Sequence, residues 1–239
     1  MSSKSFFCPI HREGYIFIAI AIVFTFLCSM VIEPVAWISA IITGFIIYFF
    51  RDPNRVTPEG KDLVISPADG VIQKIEDALP PEELELPNKS LSRISVFLDV
   101  MNVHVNRVPI AGKITGLNYR SGKFFNASLD KASSENERQS SVVTTENGDN
   151  IVFVQIAGLI AKRIICDLEV GQEVTSGAKF GIIRFGSRMD IYLPKHYEIN
   201  AIEGQTMIGG ETILAKAKTK PAAKTTKKTT NKIKKPVVK

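Results

Sequence analysis

Between Glu13 and Arg51 the chain carries a single charged residue, Glu33. On either side of Glu33-Pro34 lie Tyr15 to Ile32, 18 uncharged residues, and Val35 to Phe50, another 16. Apolar runs of this kind are helices in lipid, where each segment must bond its own backbone, or helices buried in a protein core. At ~1.5 Å per residue they would be about 27 and 24 Å long, just under the ~30 Å of a hydrocarbon core. A signal peptide would need a small-residue cleavage site after the first run, and Ser29-Met30-Val31-Ile32-Glu33-Pro34 is a poor one. The flanks favour a two-helix membrane hairpin over residues 1–50. Lys4 and Arg12 precede it, Arg51, Arg55 and Lys61 follow it, and its turn carries only Glu33, so both ends are expected on the cytoplasmic face of the cell (inner) membrane. Lengths this close to the limit leave open whether the hairpin crosses the bilayer or dips into one leaflet.

The opposite terminus is as biased. Residues 216–239 hold ten lysines and no acidic residue, interleaved with Thr, Ala and Pro and without apolar periodicity, which reads as a disordered basic tail. Its +10 against a net +6 leaves the remaining residues at −4. The tail lacks interleaved aromatics, so anionic lipid headgroups are a nearer partner than nucleic acid, and no specific nucleic acid is expected; a solvated tail without a partner is the alternative. Cys8, Cys28 and Cys166 are far apart and lack metal-ligand spacing, as expected of reduced thiols in a cytoplasmic domain. With histidine only at 11, 104 and 196, no metal site is expected.

Residues 51–215 read as a mainly β domain. Leu63-Val64-Ile65 and Val71 to Ile75 flank the turn Ser66-Pro67-Ala68-Asp69-Gly70, and Ile94, Val96, Leu98 and Val100 alternate with Ser95, Phe97 and Asp99. Ser141 to Thr145 and Ile151 to Ile156 are joined by the hairpin turn Glu146-Asn147-Gly148-Asp149-Asn150. Short strands with Gly-containing turns predict a compact sandwich or barrel-sandwich-like domain, with long loops at Leu79 to Lys89 and Phe124 to Ser140. Val108 to Ile114 and Val170 to Gly177 suggest lipoyl- or biotinyl-carrier architecture, but the comparable hairpin tip offers Ser187-Arg188-Met189 and no lysine to modify. Late in the domain Arg184-Phe185-Gly186-Ser187-Arg188 leads into the strand-like Met189 to Pro194; alone, Gly-Ser is an ordinary turn dipeptide.

Several segments coincide, in order, with one family. Ser66-Pro67-Ala68-Asp69-Gly70, Met101-Asn102-Val103-His104-Val105-Asn106-Arg107-Val108-Pro109, Asn136-Glu137-Arg138, Gln155-Ile156-Ala157-Gly158, Ala161-Lys162-Arg163-Ile164 and Arg184-Phe185-Gly186-Ser187-Arg188 resemble the short form of phosphatidylserine decarboxylase, from about Arg51 to Ala215. The apolar hairpin fits the family and the lysine tail lies outside its pattern. The resemblance implies a self-processing proenzyme of phospholipid biosynthesis that forms phosphatidylethanolamine and carbon dioxide. Ser187 attacks the Gly186 carbonyl and the chain is cut between 186 and 187. Elimination and hydrolysis then leave a pyruvoyl group at position 187, which captures the amine of phosphatidylserine as a Schiff base. The products are a β chain ending at Gly186 and an α chain starting at 187.

The resemblance also implies roles. A serine hydroxyl needs a base and the base an orienting carboxylate, which makes His104 and Asp69 the candidates. His104 is a candidate both as processing base and as proton donor in decarboxylation, and that choice stays open because longer forms of the family carry a second histidine near the position of Arg107. For substrate binding, Phe124, Phe125 and Asn126 offer surface for acyl chains, and Arg138, Arg184 and Arg188 offer cations for phosphate; alternatively these arginines pair with acids in the sheet. Other readings are a decarboxylase of another serine lipid, such as archaetidylserine with ether-linked isoprenoid chains, and a non-enzymatic membrane-anchored β-module. Oligomeric state is left open, a homo-oligomer included.

Overall fold

The computed structural model describes residues 8–125, 135–158, 163–184 and 187–218. Asn126, Gly186 and the tail beyond 218 lie outside them. A 3-10 turn, Arg12–Gly14, leads into α1 (Tyr15–Ser29), and α2 (Glu33–Phe49) returns beside it. Pro34 sits in the first turn of α2, where its missing N–H costs no hydrogen bond. Arg12–Ser29 is long and apolar enough to cross a membrane, whereas α2 is shorter at 17 residues. The outward side chains are apolar and bare: Ile16 is 65% exposed, Phe26 62% and Ile41 73%. Between the helices the polar groups satisfy each other, Thr25 Oγ1 lying 2.7 Å from Ser39 Oγ and 2.9 Å from Thr43 Oγ1, as helices in lipid require.

The rest is mainly β, as the pattern of short strands predicts. The strands are β1 (Leu63–Ile65), β2 (Gly70–Ala78), β3 (Leu91–Leu98), β4 (Val105–Arg107), β5 (Gly112–Arg120), β6 (Arg138–Thr144), β7 (Asn150–Ala157), β8 (Ile164–Cys166), β9 (Glu173–Val174), β10 (Lys179–Ile183), β11 (Ser187–Leu193), β12 (Tyr197–Ile199), β13 (Thr206–Met207) and β14 (Ile213–Ala217). An eight-stranded sheet runs β13-β2-β3-β11-β7-β6-β5-β9, accompanied by the three-stranded sheets β1-β14-β12 and β4-β10-β8. All named pairings are antiparallel. The two carrier-like segments do meet, Gly112 opposite Val174 and Lys113 opposite Glu173.

Both faces of the large sheet are covered, and the period of two decides which residue serves which face. Ile94, Val96 and Leu98 of β3, Ile151 and Phe153 of β7, and Met189, Ile191 and Leu193 of β11 point into the main core. Their neighbours Val152, Val154, Ile156 and Tyr192 form a second layer with Leu84, Leu86 and Leu91. The Pro- and Glu-rich loop after β2 is therefore a cover for that layer. A third cluster joins the hairpin to the domain: Phe49 and Phe50 pack with Val103, Val105 and Ile182.

One expectation needs adjustment: strand β6 begins at Arg138, so the second long loop ends earlier than Ser140. His104 lies just ahead of β4.

Candidate active site

Ser187 opens β11, between Leu98 of β3 and Ala157 of β7. Its backbone therefore sits in the middle of the eight-stranded sheet. Since Leu98 and Met189 face the main core, pleat alternation turns the Ser187 side chain inward too. The residue is 0% exposed and its Oγ has no hydrogen-bond partner among the described residues. A sealed hydroxyl without a partner costs about 1–3 kcal/mol, so its presence calls for a reason beyond packing.

The same interior holds more unspent polarity. Gln155 Nε2 donates to Asn106 Oδ1 at 2.8 Å and to the Ile165 carbonyl at 3.2 Å. Asn106 Nδ2 and Gln155 Oε1 are buried and have no partner among the described residues. Gln155 lies on the Ser187 face of β7, two positions along from Ala157.

His104 is also 0% exposed. Its ring packs on Phe49 at the end of α2, centroids 4.4 Å apart, and its Nδ1 lies 3.0 Å from the Asn102 carbonyl. That contact puts the ring hydrogen on Nδ1 and the lone pair on Nε2. Burial, aided by the nearby Arg51 cation and opposed by the Asn102 carbonyl and Asp99, pulls its pKa down to about 4. The ring is thus neutral at physiological pH, the state a proton acceptor needs. The Ile183 amide donates to the His104 carbonyl at 3.4 Å, which registers this residue against the end of β10, just before the Gly186-Ser187 bond.

Asp69 is not bonded to His104. Its carboxylate accepts from Arg55 at 2.8 and 3.1 Å and from the Gly209 amide at 2.8 Å. The turn that carries it does lie close by, the Arg107 amide donating to Pro67 at 2.8 Å. Its next residue must be glycine, because a Cβ on Gly70 would stand 2.2 Å from the Phe97 carbonyl oxygen. Arg107 itself is a strut, its guanidinium donating to the Gly177 and Pro53 carbonyls at 2.9 Å each.

The three candidate cations separate. Arg188 points away from Ser187, since neighbours in a strand face opposite sides. It forms a buried bidentate pair with Asp190 at 2.6 and 2.8 Å. Arg138 is on that second layer as well, held by Glu83 through two 2.6 Å contacts while Ser140 donates to the same carboxylate at 2.9 Å. Arg188 pairs with an acid of the sheet, as the alternative describes, whereas the acid that holds Arg138 comes from outside the sheet, in the 3-10 turn Glu82–Leu84. Arg184 differs: it reaches Glu13 at 3.2 Å and lies 5.2 Å from the Phe17 ring centroid, and its buried Nε has no partner among the described residues. Phe124 packs against the main core and Phe125 is half-buried, its amide and carbonyl both bonded to the Asn136 side chain. A cleft of about 730 Å³ lies elsewhere, lined by Asp62, Glu146, Asp149 and His196 among others, and contains none of these residues.

The sequence profile of phosphatidylserine decarboxylase matches residues 42–215. Proteins of three rickettsiae, Rickettsia akari (strain Hartford), Rickettsia felis (strain ATCC VR-1525 / URRWXCal2) and Rickettsia bellii (strain OSU 85-389), are each 59% identical to the chain over 206 residues, 86% of this chain and 89% of the relative. Each bears the name phosphatidylserine decarboxylase proenzyme. The chain belongs to the phosphatidylserine decarboxylase family. For a family whose named relatives are proenzymes, a buried serine in a central strand, without a partner among the described residues, is the residue to follow. Glu13, Phe17 and Phe49, which hold Arg184 and His104, were not singled out from the sequence, and Gln155, which holds Asn106, entered only as part of a family motif without a role of its own.

Proposed function

We propose that the chain is a self-cleaving membrane enzyme that converts phosphatidylserine to phosphatidylethanolamine and carbon dioxide with a pyruvoyl group made from its own Ser187. In this reading residues 1–50 are the membrane hairpin, 51–215 the catalytic domain on the cytoplasmic face, and 216–239 a basic tail. The observation that carries it is the Ser187 hydroxyl, fully buried, without a hydrogen-bond partner among the described residues, and next in sequence to Gly186. In processing, neutral His104 accepts the hydroxyl proton at Nε2 while Oγ bonds to the Gly186 carbonyl carbon and the peptide nitrogen leaves as an amine. The resulting ester loses its Ser187 Cα proton, and Gly186 departs as a carboxylate. Water then displaces ammonia.

A pyruvoyl group suits the place on the donor set present. It is small and uncharged, and its oxygen would lie in an interior where Asn106 Nδ2 has a hydrogen to give. When formed it supplies an electrophilic carbonyl for the lipid amine and accepts the electron pair left by departing carbon dioxide. In processing, His104 Nε2 hands the proton on to the departing Ser187 nitrogen, which leaves the ring neutral again. Its orientation comes from Phe49 and the Asn102 carbonyl rather than from Asp69. Arg184, whose Nε has no partner among the described residues, is the best-supported of the three arginines for the phosphate; Phe124 and Phe125 are assigned to the acyl chains, together with Asn126, which lies outside the described residues. The hairpin spares the enzyme from extracting a diacyl lipid, at ~0.8 kcal/mol for each buried CH₂.

Intact-mass spectrometry of purified protein tests this. Two chains are expected, divided after Gly186, the smaller lighter than its sequence by one ammonia and blocked to Edman degradation. A single intact chain in catalytically active protein would refute it.

A further inference from the structure

We propose that the Asn106 side chain is the hydrogen-bond donor for the oxyanion that forms on the Gly186 carbonyl during self-cleavage. The inference rests on the processing reading above. Its ground is a chain of enforced hydrogen-bond directions. The Ile165 carbonyl only accepts, so the Gln155 atom 3.2 Å away must be its NH₂ group. That NH₂ also meets Asn106 at 2.8 Å, so the Asn106 atom there must be oxygen. The other end of the Asn106 amide is then NH₂, and it is completely buried with nothing among the described residues to receive it.

Gln155 thereby acts as a positioning residue that turns the Asn106 donor in a fixed direction. The direction is set from two sheets, Gln155 on β7 and Ile165 and Asn106 on the β4-β10-β8 sheet. Gln155 and Ser187 share the inward face of adjacent strands, as diagonal neighbours roughly 7–8 Å apart. An Asn side chain of β4 resting on Gln155 is therefore presented to the space in front of the Ser187 hydroxyl. A neutral amide donor suits an oxygen that gains charge only in the transition state, since it is already oriented and shed of water when that charge appears. In the step itself the Ser187 proton passes to His104, the Oγ–C bond forms, and the carbonyl π pair moves onto oxygen toward Asn106. Collapse returns that pair and breaks the C–N bond as His104 passes the proton to the departing Ser187 nitrogen.

The test is Asn106→Asp, purified as uncleaved precursor and followed by gel and intact mass at pH 8 and pH 5, beside wild type. At pH 8 the ionised carboxylate has no donor, and maturation should slow about 100- to 1,000-fold, the usual cost of losing one such donor. At pH 5 a buried carboxyl, its pKa raised by desolvation, is protonated and regains an O–H, so maturation should recover. Other groups near this position do not disturb the window. His104 stays neutral down to about 4. The residue opposite on β10 is Gly181, the contact from β7 is Gln155, and neither titrates. The Cys166 thiol on β8 is pushed upward by burial. Arg107, next in β4, remains cationic and bound to carbonyls. Maturation of the variant at the wild-type rate at pH 8, or a block that persists at pH 5, would overturn the donor role. Failure of wild type itself to cleave would instead overturn the processing reading.

Discussion

The burial of His104 should appear as an acid-sensitive component of folding stability. An unfolded chain binds a proton on this residue below its ordinary value of 6.5, whereas the folded chain resists until about 4. Because the unfolded state binds more protons in that window, stability must fall as pH drops from 6.5 toward 4 and be fully present above 6.5. At ~1.4 kcal/mol for each pH unit the loss approaches about 3 kcal/mol, with no discount for solvent because the side chain is wholly enclosed. For a domain of this size that is roughly 6–12 °C in Tm. The measurement is thermal unfolding in detergent at pH 7.5 and 4.5, on Ser187→Ala precursor with and without His104→Gln. Ser187→Ala keeps the chain whole. The drop should be smaller by about 3 kcal/mol in the His104→Gln chain. His11, whose pKa burial also lowers, loses stability in the same direction but is common to both chains and cancels. Equal drops would show that His104 does not sit neutral in an enclosed site, and would remove the basis for calling it the base.

Phe49→Leu, which removes the ring stacked on His104 but keeps an apolar side chain, should raise the His104 titration from about 4 toward 6.5; NMR of ring protons can follow this in a chain with only three histidines, and an unchanged titration would rule out Phe49 as its shield. Arg188→Ala removes the bidentate partner of the Asp190 carboxylate and leaves it the longer 3.9 Å contact with Arg93, and should cost up to about 3–5 kcal/mol, whereas replacing both partners with leucine should cost much less; chemical denaturation of Ser187→Ala precursor compares them, and a harmless single replacement would contradict a buried pair.

Much of the architecture was legible in the sequence because it is written in local patterns. The apolar runs predicted two helices that the structure places at Tyr15–Ser29 and Glu33–Phe49, and the Asn-Gly turn predicted the β6–β7 hairpin. Side-chain direction was legible too, where the alternation was followed through. Ser187 and Arg188 are adjacent in a strand and so face different layers, which is why Arg188 is far less suited to the serine's chemistry than its sequence position suggests. What had no local signature was the choice of partner. Asp69 has an ordinary turn sequence, and nothing nearby announces that Arg55 occupies its carboxylate. Likewise Glu83 sits in an acidic loop that reads as solvated, yet it neutralises Arg138 beneath the sheet.

If the bond after Gly186 is cut as proposed, the position of β11 has a consequence for the protein. The severed end begins the very strand that lies between β3 and β7, and both of those belong to the other fragment. The fragments are likewise joined where β13 meets β2 and β14 meets β1. Two chains then share one set of ladders, so dilution alone offers them no way to part. The cost is memory: a mature molecule that unfolds has lost the covalent link that brought these strands together at no loss of translational freedom. Maturation turns a reversible folding problem into a one-way one, and the working lifetime of the enzyme becomes a matter of how slowly it opens.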